Sequence, residues 1–480
     1  MNSPRILDPL LLAAALCGSA GLALAAERAP ARVAFAGGAL RFEGVVVPES
    51  PPAAKLDRVA GPRAGVEGFA TVGQPASVAG RLSAPVRDRG ALMFWFRTDR
   101  AYRSGAAGTS LREKLVELPD TLTVWFLAEK PALTLMVEWQ GPHDEVAERH
   151  LRVILPEFPG PAWHHVAVNW DGPAGEVNVF LDGTPYHLTI GVKEPPLPVR
   201  AASGLVLHAG RFALAEVQVK AAPVAAAELR ATVGDGAWGA LDTILGVRDY
   251  GPAPAPGGRG ELLYSRALGT AADTQGWKLE GPGIVEYRDG WMQMKSARPD
   301  GPDGHIVHWC PEEFPARFWA EWEFELLSEQ GLCIVFFAAC GQGGRDVFDP
   351  TLAPRNGIFR QYHSGDIDCY HVSYFANTPG SARRVANLRK NSGFFLVANG
   401  PIGVTEARAG EVHRAVLVKD GARIRMAVDG RTIIDHTDDG ARAGPVWAGG
   451  KIGLRQMQWT AGRYRNFRVF GLPPAAGTPR

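Results

Sequence analysis

The run His164-His-Val-Ala-Val-Asn-Trp-Asp-Gly172 aligns without gaps on His413-Arg-Ala-Val-Leu-Val-Lys-Asp-Gly421, and this match decides the fold. Val177-Asn-Val-Phe-Leu-Asp-Gly183 follows the first run and Ile424-Arg-Met-Ala-Val-Asp-Gly430 the second, again closing on Asp-Gly. β-Branched and aromatic residues favour strands, and Asp-Gly supplies the positive φ angles of a tight hairpin turn. Two hairpins in the same order in each half imply one plan used twice. Ala215-Glu-Val-Gln-Val219 and Tyr464-Arg-Asn-Phe-Arg-Val-Phe470 extend the parallel, each reading as a closing strand that returns beside the first and limits exposed sheet edges.

The bulk numbers agree. A chain of 480 residues exceeds one hydrophobic core and divides into domains. With 46% hydrophobic and 21% charged residues it is globular, and 57 Gly and 37 Pro point to many turns. The expectation is an all-β protein. Lys and Arg total 51 against 50 Asp and Glu, so no net field holds a polyanionic backbone, which argues against nucleic acid as a partner.

Leu10 to Ala26 is an apolar, small-residue run behind Arg5, with Ala23-Leu-Ala25 as a small-x-small cleavage site. Residues 1–26 read as an export signal, giving a secreted or periplasmic protein. The alternative, a membrane anchor, needs about 20 apolar residues. The expected division is a first sandwich over 35–232 ending in a short helix within Pro223–Thr232, a Pro/Gly-rich linker over 233–257, a second sandwich over 258–472, and a disordered tail over 473–480.

Cys17 lies in the signal, where Leu16 argues against lipidation. Cys310, Cys333, Cys340 and Cys369 all fall in the second half. Export permits disulfides among them, and buried thiols in strands are the other reading. Their spacing has no zinc-ligand pattern, and no spaced carboxylate cluster argues for calcium, so no metal is expected. Without a Gly-x-Gly-x-x-Gly or Walker loop, no cofactor is expected either.

Gly90-Ala-Leu-Met-Phe-Trp-Phe-Arg97, Trp163-His-His-Val-Ala-Val-Asn-Trp170, Gly175-Glu-Val-Asn-Val-Phe-Leu-Asp-Gly183 and Ala215-Glu-Val-Gln-Val219 resemble the laminin-G-like branch of the concanavalin superfamily. His164 and His165 point to opposite faces of their strand, which reads as one histidine hydrogen-bonded under the sheet and one on the surface.

The second half is similar to the YesU-like family, domain of unknown function 1961. The resemblance rests on Gly331-Leu-Cys-Ile-Val-Phe-Phe-Ala-Ala339, Asp346-Val-Phe-Asp-Pro350, Tyr362-His-Ser-Gly-Asp-Ile367, Tyr370-His-Val-Ser-Tyr-Phe375, Asn387-Leu-Arg-Lys-Asn391 and Lys451-Ile-Gly-Leu-Arg-Gln456. One departure is Asn399-Gly-Pro-Ile-Gly403, which lacks an expected Asp. Together the resemblances imply two tandem concanavalin A-like jelly-roll β-sandwiches. The second also implies action on plant or algal glycans, by the family's association with pectin-degrading systems.

In Tyr370-His-Val-Ser-Tyr-Phe375 the period of two puts Tyr370, Val372 and Tyr374 on one face and His371, Ser373 and Phe375 on the other. Asp346, Asp349, Arg355, Tyr362, Asp366, Arg389 and Lys390 fall in turns or strand ends, where loops over a rigid sandwich carry function. Cations can fix a uronate carboxylate, with Arg offering bidentate geometry.

A lyase reading assigns His371, Tyr374 and Lys390 to catalysis and Tyr362, Asp366, Asn387, Arg389 and Arg355 to substrate binding. A hydrolase reading uses Glu321, Glu323 and Glu325, which share one strand face opposite Trp322 and Phe324. Two such carboxyls lie near the roughly 5 Å that retaining glycosidases need. The expected function is an exported carbohydrate-interacting protein, an enzyme acting in the second sandwich. The alternative is a glycan-binding protein with two lectin-like modules and no catalysis.

Overall fold

A computed structural model of the chain describes residues 31–473 apart from short internal stretches, the longest being 47–55, 140–149, 187–200, 235–249 and 401–408. The export signal and nearly all of the tail lie outside the described residues, as does most of the linker.

Strands alternating in burial pair into two sandwiches. In the first, a back sheet runs in spatial order Thr184–Tyr186, Glu176–Leu181, Trp163–Asp171, Arg89–Arg97, Ala213–Lys220, Ala31–Ala36. Its front sheet runs His150–Leu155, Ala132–Trp139, Leu122–Glu129, Leu111–Leu118, Ala202–Ala209, Ala76–Val86. The second repeats this strand for strand. Its back sheet runs Arg431–Thr437, Arg423–Val428, Val412–Asp420, Arg317–Leu326, Gly462–Gly471, with Leu262–Arg266 and Trp291–Ser296 both paired to the last. Its front sheet runs Phe395–Asn399, Asn387–Asn391, Ile367–Thr378, Gly331–Gly341, Lys451–Gln456, Ile306–Trp309. The chain is therefore two concanavalin A-like jelly rolls with one topology, as its repeat implies.

Inward-facing apolar residues fill the space between paired sheets. Phe94, Phe96, Phe126, Trp139 and Trp170 form much of the first core, and Trp322, Phe324, Tyr374, Tyr464 and Phe467 much of the second. Each such ring contributes on the order of 1.5–3 kcal/mol. The two closing strands pair as expected: Val219 lies opposite Ala31, and Arg468 opposite Ser265 on Leu262–Arg266, the first strand of the second sandwich.

The repeated hairpin turn is fastened identically in both halves. Asp182 (φ +49°) and Asp429 (φ +48°) take left-handed backbone before Gly183 and Gly430. Asp182 Oδ1 accepts the His165 N–H at 2.6 Å while Oδ2 meets His164 Nδ1 at 2.9 Å. Asp429 Oδ1 accepts the Arg414 N–H at 2.8 Å while Oδ2 meets His413 Nδ1 at 2.6 Å. Burial opposes ionisation of Asp429, yet the His413 and Arg414 hydrogen bonds outweigh it and hold the carboxyl below its usual range.

This overturns the expectation that one of the first-half histidines is on the surface. Both are buried, His164 under Asp182 and His165 edge-on to Trp95 at 5.0 Å between centroids. The helix spans Ala226–Val233, its Leu229 packing with Val224 on the back sheet. The described part of the linker is not free strap, since the Ala253 N–H donates to Gly430 O and the Thr432 N–H to Gly251 O. All four cysteines of the second half are free thiols, and burial pushes those of Cys310, Cys333 and Cys369 up to about 12. Among the described residues no helix is long and apolar enough to cross a membrane.

Replacing Asp182 by Ala removes two buried hydrogen bonds to one carboxylate and is expected to destabilise the first sandwich by about 2–3 kcal/mol. Asp182→Asn retains part of that stability, because an amide oxygen still accepts the His165 N–H. Equilibrium urea unfolding of the two variants checks the order.

Candidate functional site

The candidate side chains sit on the outward face of the second front sheet. Alternation along Lys451–Gln456 buries Ile452 and Leu454 in the core and turns Lys451 and Arg455 outward. Gly453 makes this possible, because a Cβ there would stand 2.5 Å from the Trp309 ring. Along Gly331–Gly341, Phe336 faces outward, with Trp309 stacked on it at 5.5 Å. Ile367, Cys369, His371 and Ser373 do so on Ile367–Thr378, and Asn387, Arg389 and Asn391 on the neighbouring strand, with His371 opposite Arg389 and Ser373 opposite Asn387.

Residues 342–366 fold back over part of this face. Val347, Leu352 and Tyr362 pack on Trp309, Phe336, Ile367 and Cys369. Several predicted ligand-binding residues fasten this loop instead. Arg355 is bidentate to Glu280, at 2.7 and 3.0 Å, and also donates to Val347 O. Asp366 Oδ2 accepts the Ala353 N–H at 2.9 Å, Asp346 caps Phe348 and pairs with Lys451, and Asp349 caps Thr351.

The helical turn Phe359–His363 then brings Phe359, Tyr362 and His363 around Arg455. The Arg455 guanidinium lies 4.7 Å from the Phe359 ring centroid, 5.6 Å from Phe336 and 5.8 Å from Tyr362. Arg455 is fully buried, and its Nη2 donates to His305 Nδ1. Its Nε and Nη1 have no hydrogen-bond partner among the described residues. Beside it, Arg389 stacks on Phe394 at 3.9 Å and donates to Phe394 O, and His371 meets Asn391 Nδ2 at 2.8 Å. His363 and Phe394, half-buried and 4.7 Å apart, stand at the rim.

Burial dominates the electrostatics of this cluster, and the two guanidinium groups add to it. His371 is held well below 6.5 by burial and then by Arg389 and Arg455. His305 falls to about 3 and His363 to about 4 for the same reasons, burial first and Arg455 second. Burial brings Arg455 itself down to about 10, which leaves it charged at neutral pH. The site therefore presents two cations among neutral imidazoles and aromatic rings.

Of the sequence candidates, the structure brings together His371, Arg389 and Tyr362, with Asn387 one pair further along the strands. Tyr374 and Lys390 are elsewhere. Both point between the sheets, as the period of two requires for Tyr374 and as the pairing of Lys390 with Tyr370 requires for Lys390. Tyr374 OH accepts from Trp322 Nε1 at 3.3 Å in the core. Lys390 Nζ reaches Asp438 at 2.7 Å and Gly444 O at 2.6 Å. His371 and Tyr374 thus share no site.

The glutamates of the hydrolase reading lie on the far sheet, each held by arginine: Glu321 by Arg259 and Arg414, Glu323 by Arg465, Glu325 by Arg463. Sequence reading missed Arg455, His305, His363, Phe359 and Phe394. For Arg455 a signal existed, since alternation in Lys451-Ile-Gly-Leu-Arg-Gln456 places it opposite the apolar pair. Among the described residues no group of His, Cys, Asp and Glu could hold a metal ion.

The fold and site define a tandem concanavalin-like sandwich protein with a basic, aromatic cluster on the second front sheet. Residues 261–469 match the family described as domain of unknown function DUF1961. The uncharacterized protein YesU of Bacillus subtilis is 38% identical over 214 residues, covering 44% of this chain and 96% of that protein. The chain belongs to this family. A Bacillus subtilis protein of unknown function with a galectin-like fold is 37% identical, covering 44% of this chain and 97% of that structure with a TM-score of 0.42. The carbohydrate-binding module CBM66 of Bacillus subtilis is 14% identical, covering 41% and 96% with a TM-score of 0.29.

The buried imidazoles make stability pH-dependent. Folded values near 4 for His165, His308 and His363 lie below the usual 6.5, so the unfolded chain binds more protons between these limits. Their contribution is complete above about pH 6.5 and is lost as pH falls through about 4. The melting temperature is expected to drop across this window, and His308→Gln, which removes one such group, to flatten the slope.

Proposed function

We propose that this chain is an exported carbohydrate-interacting protein whose second sandwich recognises an acidic, uronate-containing glycan on its front sheet. One observation carries the reading: Arg455, fully buried, keeps Nε and Nη1 unpaired among the described residues. The two donors lie on different edges of the guanidinium, each beside the Nη2 that His305 already engages, so an anionic ligand accepts from one of them through a single oxygen. A buried cation without a counter-charge is costly, and an incoming carboxylate offsets that cost. Arg389 adds a second positive charge, and Phe359 and Phe394, both half-buried, supply apolar surface for a sugar ring, with Tyr362 packed beneath. In this reading His371 and Asn387 orient the ligand, while Arg355 and Asp366 act by holding the loop over the site.

A second reading, a uronate lyase, draws on the neutral imidazoles. His363 or His371, unprotonated at neutral pH, is suited to take the α-proton whose acidity a guanidinium-bound carboxylate enhances. The imidazolium so formed returns that proton to the leaving oxygen as its bond to the β-carbon breaks and the C=C bond forms. Tyr374 and Lys390 have no part in it. The hydrolase reading has no support, since its glutamates are consumed by ion pairs.

The test is affinity electrophoresis of the full chain in gels containing polygalacturonate or alginate, with Arg455→Met beside the wild type. Loss of a charged hydrogen-bond pair is expected to weaken retention about tenfold to a hundredfold. The same variant is expected to melt at an unchanged or higher temperature, because an apolar chain replaces a partly unpaired buried cation. Equal retention of both proteins would sink the reading. Unsaturated ends released from the polymer, and lost in His363→Ala or His371→Ala, would favour the lyase.

A further inference from the structure

The outward face of the first front sheet carries a polar and aromatic group that the second-sandwich site does not use. Thr123 and Trp125 lie on Leu122–Glu129, flanked by Glu117 and Lys114 on one neighbouring strand and Glu138 and Met136 on the other. Thr123 stands opposite both Glu117 and Glu138, and Trp125 opposite Lys114 and Met136. By topology this strand is the counterpart of Ile367–Thr378, where His371 stands between Phe336 and Arg389.

The group is fixed in place. The Trp125 Nε1–H donates to Glu138 Oε2 at 2.8 Å, which orients the half-buried indole. Glu117 Oε2 accepts from Lys114 Nζ at 2.8 Å and meets His208 Nε2 at 3.1 Å. Burial opposes ionisation of Glu117, but the Lys114 and His208 hydrogen bonds outweigh it, so the carboxylate is charged at neutral pH. Arg112 and Lys114 frame the indole at 4.8 and 5.3 Å. Between the carboxylates, Thr123 is fully buried, and its hydroxyl has no hydrogen-bond partner among the described residues. Native structures rarely leave such a group unsatisfied.

We propose that this face is a second sugar-binding platform, distinct from the Arg455 cluster, and that it takes a neutral pyranose. An indole edge and face suit the apolar C–H side of a pyranose ring, as aromatic side chains with a polar handle do at other half-wet contacts. Two carboxylates accept from sugar hydroxyls and, with the unpaired Thr123 hydroxyl between them, form a hydrogen-bonding floor. Lys114 is already paired with Glu117, so the platform offers hydroxyls two carboxylate acceptors where the second sandwich offers a carboxylate a guanidinium, which separates the two ligands. The inference shares only the carbohydrate class with the function proposed above.

The test is affinity electrophoresis of the full chain in gels containing laminarin, galactan or galactomannan, with polygalacturonate as the acidic comparison. At least one neutral polymer is expected to retard the wild type. Trp125→Ala and Glu117→Gln are expected to weaken that retention by about tenfold or more, and Trp125→Phe much less. Arg455→Met leaves neutral-polymer retention unchanged, whereas the Trp125 variants leave polygalacturonate retention unchanged. Should Trp125→Ala fail to fold, Glu117→Gln decides alone. The proposal is overturned if no neutral polymer retards the wild type, if both platform variants are retarded like it, or if neutral retention follows Arg455 instead.

Discussion

A guanidinium sealed among aromatic rings, two of its nitrogens without a hydrogen-bond partner among the described residues, is the constraint around which the second sandwich is arranged. Isolated charges are expelled from protein interiors unless the surrounding packing over-determines them. Arg455 stays inside because its strand is pinned on both edges, to Gly331–Gly341 and to Ile306–Trp309, and because Ile452 and Leu454 on the same strand are locked in the core. Cation–π contacts with Phe336, Phe359 and Tyr362 return part of the lost hydration.

The covering loop has the same logic. It places Tyr362 and the Phe359–His363 turn only if its path is fixed, and the Arg355–Glu280 pair fixes it from below while Asp366 clamps Ala353 from the side. Glu280 also accepts from Trp309 Nε1 at 2.9 Å, so the loop, the stacked Trp309–Phe336 pair and the edge strand form one unit. The first sandwich has the same strands without this loop arrangement, and its equivalent face carries Trp125, His208 and carboxylates where the second carries Arg455 and its aromatic rings. One topology thus presents two chemistries, which is what side chains on a duplicated scaffold can vary without disturbing its core.

Much of the fold was legible because hairpins are local. Asp182-Gly183 and Asp429-Gly430 announce their turns through positive-φ chemistry, and the runs before them alternate or are continuously apolar according to whether one or both faces are covered. The same period of two separated His371 from Tyr374 correctly, yet both were assigned to one site, an error that the alternation itself excluded. Lys390 misled because a charged residue beside Arg389 reads as solvated, whereas Asp438, distant in sequence, draws it between the sheets. Asp366 and Arg355 misled because a polar loop residue looks the same whether it faces a ligand or its own backbone. His363 and Phe394 were invisible because only tertiary folding of the loop brings them within 4.7 Å.

The most direct measurement of the central claim is a crystal structure of the full chain with a bound uronate oligosaccharide. The account predicts a sugar carboxylate on the front sheet of the second sandwich, one oxygen about 2.7–2.9 Å from Arg455 Nε or Nη1. A uronate bound elsewhere, with those two donors still unpaired beneath an empty cluster, would contradict it.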